Sequence, residues 1–105
     1  MSSAQDKTAT LLAALWLKIQ PLVEERVATL EQAATAAAAG SLSDELRKEA
    51  IGSAHKLAGS LGMYGYDEGT RAARELEVLL GTAAPDAARL STLIAELRAA
   101  VFPTA

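Results

Sequence analysis

Residues 43–67 read SDELRKEAIGSAHKLAGSLGMYGYD. Ser43, or Ser41 just before it, followed by Asp44-Glu45, marks a helix start: a hydroxyl caps the first free N–H groups and two carboxylates face the positive end of the helix dipole. Gly65-Tyr66-Asp67 reads as a tight turn, with Asp67 capping the next helix. Between these signals apolar residues recur every three or four positions, so the spacing predicts a helix over about 43–64. At about 100° per residue, Leu46, Ala50, Ala54, Leu57, Leu61 and Tyr64 share one stripe, the core face. His55, the single histidine of the chain, falls roughly 145° from the centre of that stripe and faces outward. Lys48, Gly52, Gly59 and Gly62 lie on the same outer face, with Ile51 and Ala58 beside it.

Glycine in an exposed helix interior costs about 1 kcal/mol relative to alanine. Three glycines flanking one outward histidine therefore have two readings. They bare a strip that another macromolecule can approach closely, or they accommodate an N-terminal helix folded across the bundle.

The same breaks organise the rest of the chain. Pro21 either kinks one long helix or opens a second one. Gly40 reads as a helix C-cap, and Gly81-Thr82-Ala83-Ala84-Pro85-Asp86 as the last loop. Helices are expected over about 4–19, 21–39, 43–64, 67–80 and 86–101, with no strand-like alternation anywhere. Short connections make neighbouring helices antiparallel. The fold expected is an all-α, antiparallel up-down four-helix bundle with an additional N-terminal helix, one domain over 1–105.

The composition of the 105 residues narrows function. There is no cysteine, which removes disulfides, thiol nucleophiles and thiolate metal sites. One histidine builds no multi-histidine metal site, so no metal site is expected. Thirteen acidic against ten basic residues, net −3, gives no basic face for nucleic acid or a membrane surface. The run Leu11–Leu17 is short of the ~20 apolar residues a span requires. Gln5-Asp6-Lys7 before it and Lys18 after it suit a packed helix better than a secretory signal. A cytoplasmic protein is expected.

His55 lies 11 residues before Tyr66 and Glu77 lies 11 after it. In an antiparallel hairpin both stand about 16 Å from the turn. Glu77, on a flank of its own helix, either reaches the imidazole or is an ordinary surface carboxylate. If it reaches, it fixes the tautomer and leaves the other ring nitrogen with a free lone pair.

The segment Ala54-His55-Lys56-Leu57-Ala58-Gly59-Ser60-Leu61-Gly62-Met63-Tyr64-Gly65-Tyr66 resembles the signature of histidine phosphotransfer (HPt) domains. In that signature a histidine is followed by an apolar residue at +2, usually lysine at +3, glycine at +4, a small residue at +5 and glycine at +10. His55, Leu57, Gly59, Ser60 and Gly65 match. The family is a four-helix bundle of about this length. The resemblance implies that His55 is the phosphoacceptor, taking a phosphoryl group from a receiver-domain aspartyl phosphate or a hybrid histidine kinase and passing it to another receiver. It also implies that Glu77 orients the imidazole, as a glutamate does in chemotaxis-type kinases. Ala58 departs from the pattern: the usual lysine is absent, with Lys56, Lys48 and Arg74 as the nearest cations.

An ordinary imidazole titrates near pH 6.5, about where its neutral, nucleophilic form begins to prevail. Phosphoryl transfer needs mainly positioning and electrostatic stabilisation. The chain shows no nucleotide-binding loop, since Gly59–Gly65 follows no strand. The expectation is a phosphoryl carrier and not a kinase, with no cofactor of its own and Mg²⁺ on the receiver partner. Gly52, Ala58, Gly59, Gly62, Lys56 and Lys48 are the expected partner-docking residues. Two other readings compete. One is a helical interaction module that never carries phosphate, favoured by the missing lysine. The other is a hydrolytic or transfer enzyme with His55 as general base, for which Ser60, about 140° round the helix, is poorly placed.

Overall fold

Ser43 accepts a hydrogen bond from the Leu46 N–H at 3.1 Å, so a helix starts where the capping chemistry places it. The computed structural model describes residues 3–102, which form helices and turns without a strand among them. Helix α1 spans Ser3–Ala38, α2 Asp44–Leu61, α3 Asp67–Leu80 and α4 Ala87–Val101; a short 3₁₀ turn, Gly62–Tyr64, follows α2. Helix α2 packs against α1 and α3, and α4 against α3 and α1, closing the expected all-α bundle. Leu30, Leu57, Leu61, Leu76, Leu90 and Leu97 are among the fully buried side chains, and among the described residues no polar or charged one is buried with them.

The expected separate N-terminal helix is a correction: α1 runs unbroken through Pro21. Proline removes one hydrogen-bond donor and crowds the preceding turn, at about 3 kcal/mol in a helix interior. Packing on both sides of Pro21 offsets this. Val23 is fully buried and Ile19 lies against the core. Trp16 meets Tyr64, Tyr66 and Phe102 with ring centroids 5.4, 4.9 and 6.1 Å apart. All four aromatic residues of the chain thus gather at one end of the bundle. The 36 residues of α1 at 1.5 Å rise give about 54 Å, which matches the 53 Å long axis of the molecule.

The turn between α2 and α3 needs its glycine. Gly65 has φ 83°, in the left-handed region. The Gly65 N–H donates to Gly62 O, and the Tyr66 N–H to Leu61 O, both at 3.1 Å. This closure tightens the last turn to 3₁₀, so α2 ends at Leu61 and not at 64. The expected cap from Asp67 is also corrected: Asp67 is the first helical residue, and no side chain caps α3. At the next junction Asp86 does cap α4, accepting from the Ala88 and Arg89 N–H groups.

Gly69 has a packing reason. A Cβ there would stand 2.9 Å from Val101 Cγ2 and 3.1 Å from Leu61 Cδ1, so only glycine lets α3 approach α2 and α4 this closely. Arg47, near the start of α2, donates to the carbonyls of Leu80, Thr82 and Ala83 and holds the α3–α4 loop. Two further arginines are tied to glutamates: Arg71 binds Glu68, Glu75 and Glu96, and Arg98 bridges to Glu24 and Glu31 on α1. The hydrogen bonds that Arg71 donates to Glu68, then to Glu96 and Glu75, hold its guanidinium above its ordinary pKa.

Candidate functional site

Helices α2 and α3 are joined by so tight a turn that residues equidistant from it meet. His55 Nδ1 lies 3.0 Å from Glu77 Oε2. A carboxylate only accepts, so Nδ1 carries the proton in this contact and Nε2 is left with its lone pair. The His55 side chain is 75% exposed and that of Glu77 32%. The imidazole is thus fixed from one side and open to a partner on the other. Of the two readings of Glu77 left by its spacing, the geometry is that of the reaching carboxylate.

The glycine strip is open. A Cβ at Gly52 or Gly59 would meet nothing within 4 Å, and one at Gly62 would meet only Thr70 Oγ1 at 3.5 Å, an ordinary contact. No helix is folded across them, because the N-terminal residues continue α1 along its own axis. Gly59 and Gly62 are exposed and Gly52 half-exposed.

Ala58 does not belong with them. It is only 9% exposed and is part of the core cluster. On the wheel it lies about 40° from Ala54, on the margin of the core stripe, so a methyl group packs inward where a long cation would emerge. Lys48 and Lys56 are exposed and line a hollow with Gly52 between α1 and α2. Arg74, one turn before Glu77 on α3, lines a separate hollow with Gly62 and Thr70. Ser60 is committed elsewhere, donating to Lys56 O at 2.9 Å.

Leu11, Leu15 and Leu17, expected in a packed helix, are instead exposed on α1, and near His55 two further exposed apolar residues escaped the sequence reading. Met63, one turn beyond Gly59, is 64% exposed, and Val78, next to Glu77, is 73% exposed. Met63 was detectable from its wheel position opposite the core stripe. Val78 was not, since an apolar residue at a helix boundary reads as core. Among the described residues no group of three or more acidic or histidine side chains converges as a metal site. No described helix is long and apolar enough to cross a membrane.

A family model described as Hpt domain matches residues 16–101. No curated protein and no solved structure matches the chain.

Proposed function

The chain belongs to the Hpt domain family, whose members carry phosphoryl groups, and on that premise we propose that it is a relay carrier phosphorylated on His55 Nε2. The observation that carries this reading is the 3.0 Å contact between His55 Nδ1 and Glu77, which leaves Nε2 as the outward nucleophile on a largely exposed ring.

In the transfer, the Nε2 lone pair attacks the phosphorus of an aspartyl phosphate on a receiver domain. The N–P bond forms as the P–O bond breaks, and the aspartyl carboxylate departs with the electron pair. Nδ1 keeps its proton throughout. The ring gains a positive charge, which the Glu77 carboxylate balances. No proton has to leave, so the reverse step onto a second receiver meets no extra barrier from proton transfer. The receiver, or a hybrid histidine kinase carrying one, supplies Mg²⁺ and its own lysine, and this chain supplies the nucleophile and the bare strip at Gly52, Gly59 and Gly62.

A second reading has one observation behind it. Ala58 is buried where the family usually places a lysine, which suits an interaction module that docks a receiver without carrying phosphate. Incubation with a phosphorylated receiver separates the two. The carrier acquires an acid-labile, base-stable phosphate, and His55→Gln stays unlabelled. Label on His55→Gln sinks the assignment, and an unlabelled wild-type chain that still binds receivers favours the interaction module.

A further inference from the structure

Packing does not explain Gly52. It sits in the interior of α2 with no left-handed backbone conformation, and a Cβ on it meets nothing within 4 Å. Alanine would fit there and would favour the helix. What glycine leaves instead is a hollow between α1 and α2, lined by Thr29, Lys48, Glu49, Gly52, Ser53 and Lys56.

Lys48, Gly52 and Lys56 follow one another at four-residue intervals and so form one row along the helix. His55, three residues after Gly52, stands beside that row. Helical side chains lean toward the helix N-terminus, so the His55 ring and the Lys56 stem both incline over Gly52. The ring's orientation adds to this. Nδ1 is turned to Glu77 on α3, and the two nitrogens of an imidazole face divergent directions. Nε2 is therefore turned away from the Glu77 carboxylate.

The distribution of charge agrees. Arg71, Arg89 and Arg98 are bound to glutamates, and Arg47 to backbone carbonyls. Lys48, Lys56 and Arg74 take part in no ion pair among the described residues, and of these three only the lysines line this hollow. Two ammonium groups without an ion pair around the space Gly52 leaves open, beside a nucleophilic nitrogen, suit a small dianion.

Resting on the carrier reading above, the geometry points to the Gly52 hollow as the seat of the phosphoryl group on Nε2, with Lys56 as its principal counter-ion and Lys48 as the second. A phosphoryl group carries about −1.5 to −2 charge at pH 7 and three acceptor oxygens. Lys56 donates to them from the side opposite Glu77, a task the buried methyl of Ala58 cannot perform. Glu49, the one other charged residue lining the hollow, lies about 120° round α2 from His55 and opposes the anion.

The test uses the chain phosphorylated by phosphoramidate, whose P–N bond breaks as ammonia leaves and the phosphoryl group joins Nε2. The second ionisation of that group is followed by ³¹P NMR over pH, with circular dichroism to verify that each variant is folded. Lysines that hold the dianion lower its pKa. Lys56→Ala is expected to raise the titration midpoint by about half a unit or more, Lys48→Ala by less, and Lys56→Arg to stay near wild type. Glu49→Gln is expected to move it the other way. A labelled Lys56→Ala chain that titrates within about 0.1 unit of wild type overturns this seat while leaving the carrier reading intact. A wild-type chain that takes no phosphate on His55, from phosphoramidate or from a phosphorylated receiver, overturns the carrier reading and the seat with it.

Discussion

One hydrogen bond, from His55 Nδ1 to Glu77 Oε2 at 3.0 Å, sets both the tautomer and the direction of the ring. Without it the imidazole samples other rotamers and places its proton on either nitrogen, so only part of the population attacks through Nε2. Glu77→Ala is expected to slow phosphotransfer about 10- to 100-fold, the equivalent of ~1.4–2.8 kcal/mol. Glu77→Gln, which keeps an acceptor but not the charge, is expected to fall between. Because the pair is exposed, unfolding in urea should shift by no more than about 1 kcal/mol. A Glu77→Ala chain transferring at the wild-type rate would make Glu77 a bystander. The equal distance of His55 and Glu77 from the turn was legible in the sequence. Whether the side chains met was not, because the wheel left Glu77 on a flank. The inward position of Ala58 was missed for a related reason. A residue on the margin of an apolar stripe is buried or exposed according to how closely the next helix approaches, and Gly69 allows α3 to approach closely.

Across α2, α3 and the turn between them the glycines fall into three kinds, and substitution distinguishes them. Gly52 and Gly59 have open space where a Cβ would go. Gly52→Ala or Gly59→Ala is therefore expected to stabilise the fold by roughly 0.5–1 kcal/mol, read as a rise in Tm. Gly59→Leu should stay helical by circular dichroism yet lose transfer from the receiver, since its side chain stands in the docking strip. Unchanged transfer in Gly59→Leu would show that the strip is not where a partner sits. Gly69→Ala is expected to go the opposite way, losing about 1–3 kcal/mol to the clash with Val101 and Leu61. Gly65, at positive φ, is required by the turn itself. Three glycines facing outward could be read from the wheel. The packing role of Gly69 could not, because only the neighbouring helices reveal who occupies the space above it.

At the scale of the whole molecule, α1 is the element that sequence rules divided and the fold joined. Pro21 is a strong local break signal, and capping rules allow it to open a helix. The structure keeps it inside α1 because Trp16 docks on Tyr64, Tyr66 and Phe102 while Val23 is buried in the bundle. Trp16→Ala is accordingly expected to lower stability by about 2–4 kcal/mol in urea unfolding with little effect on phosphotransfer once folded, since the cluster stands at the end of the bundle away from His55. A fall in transfer as large as that of Glu77→Ala in the folded variant would contradict that separation. Taken alone, the sequence determined what depends on neighbours along one helix: the four-helix pattern, most caps, the outward direction of His55 and the three bare positions on its face. Those follow from a fixed 3.6-residue period and short-range hydrogen bonds. Only the tertiary structure decided what depends on contacts between helices: that α1 is continuous, that Glu77 reaches the imidazole, that Ala58 turns inward, and that a hollow opens between Lys48 and Lys56. Helix period gives each side chain an angle, and it is the distance between helix axes that turns an angle into a contact.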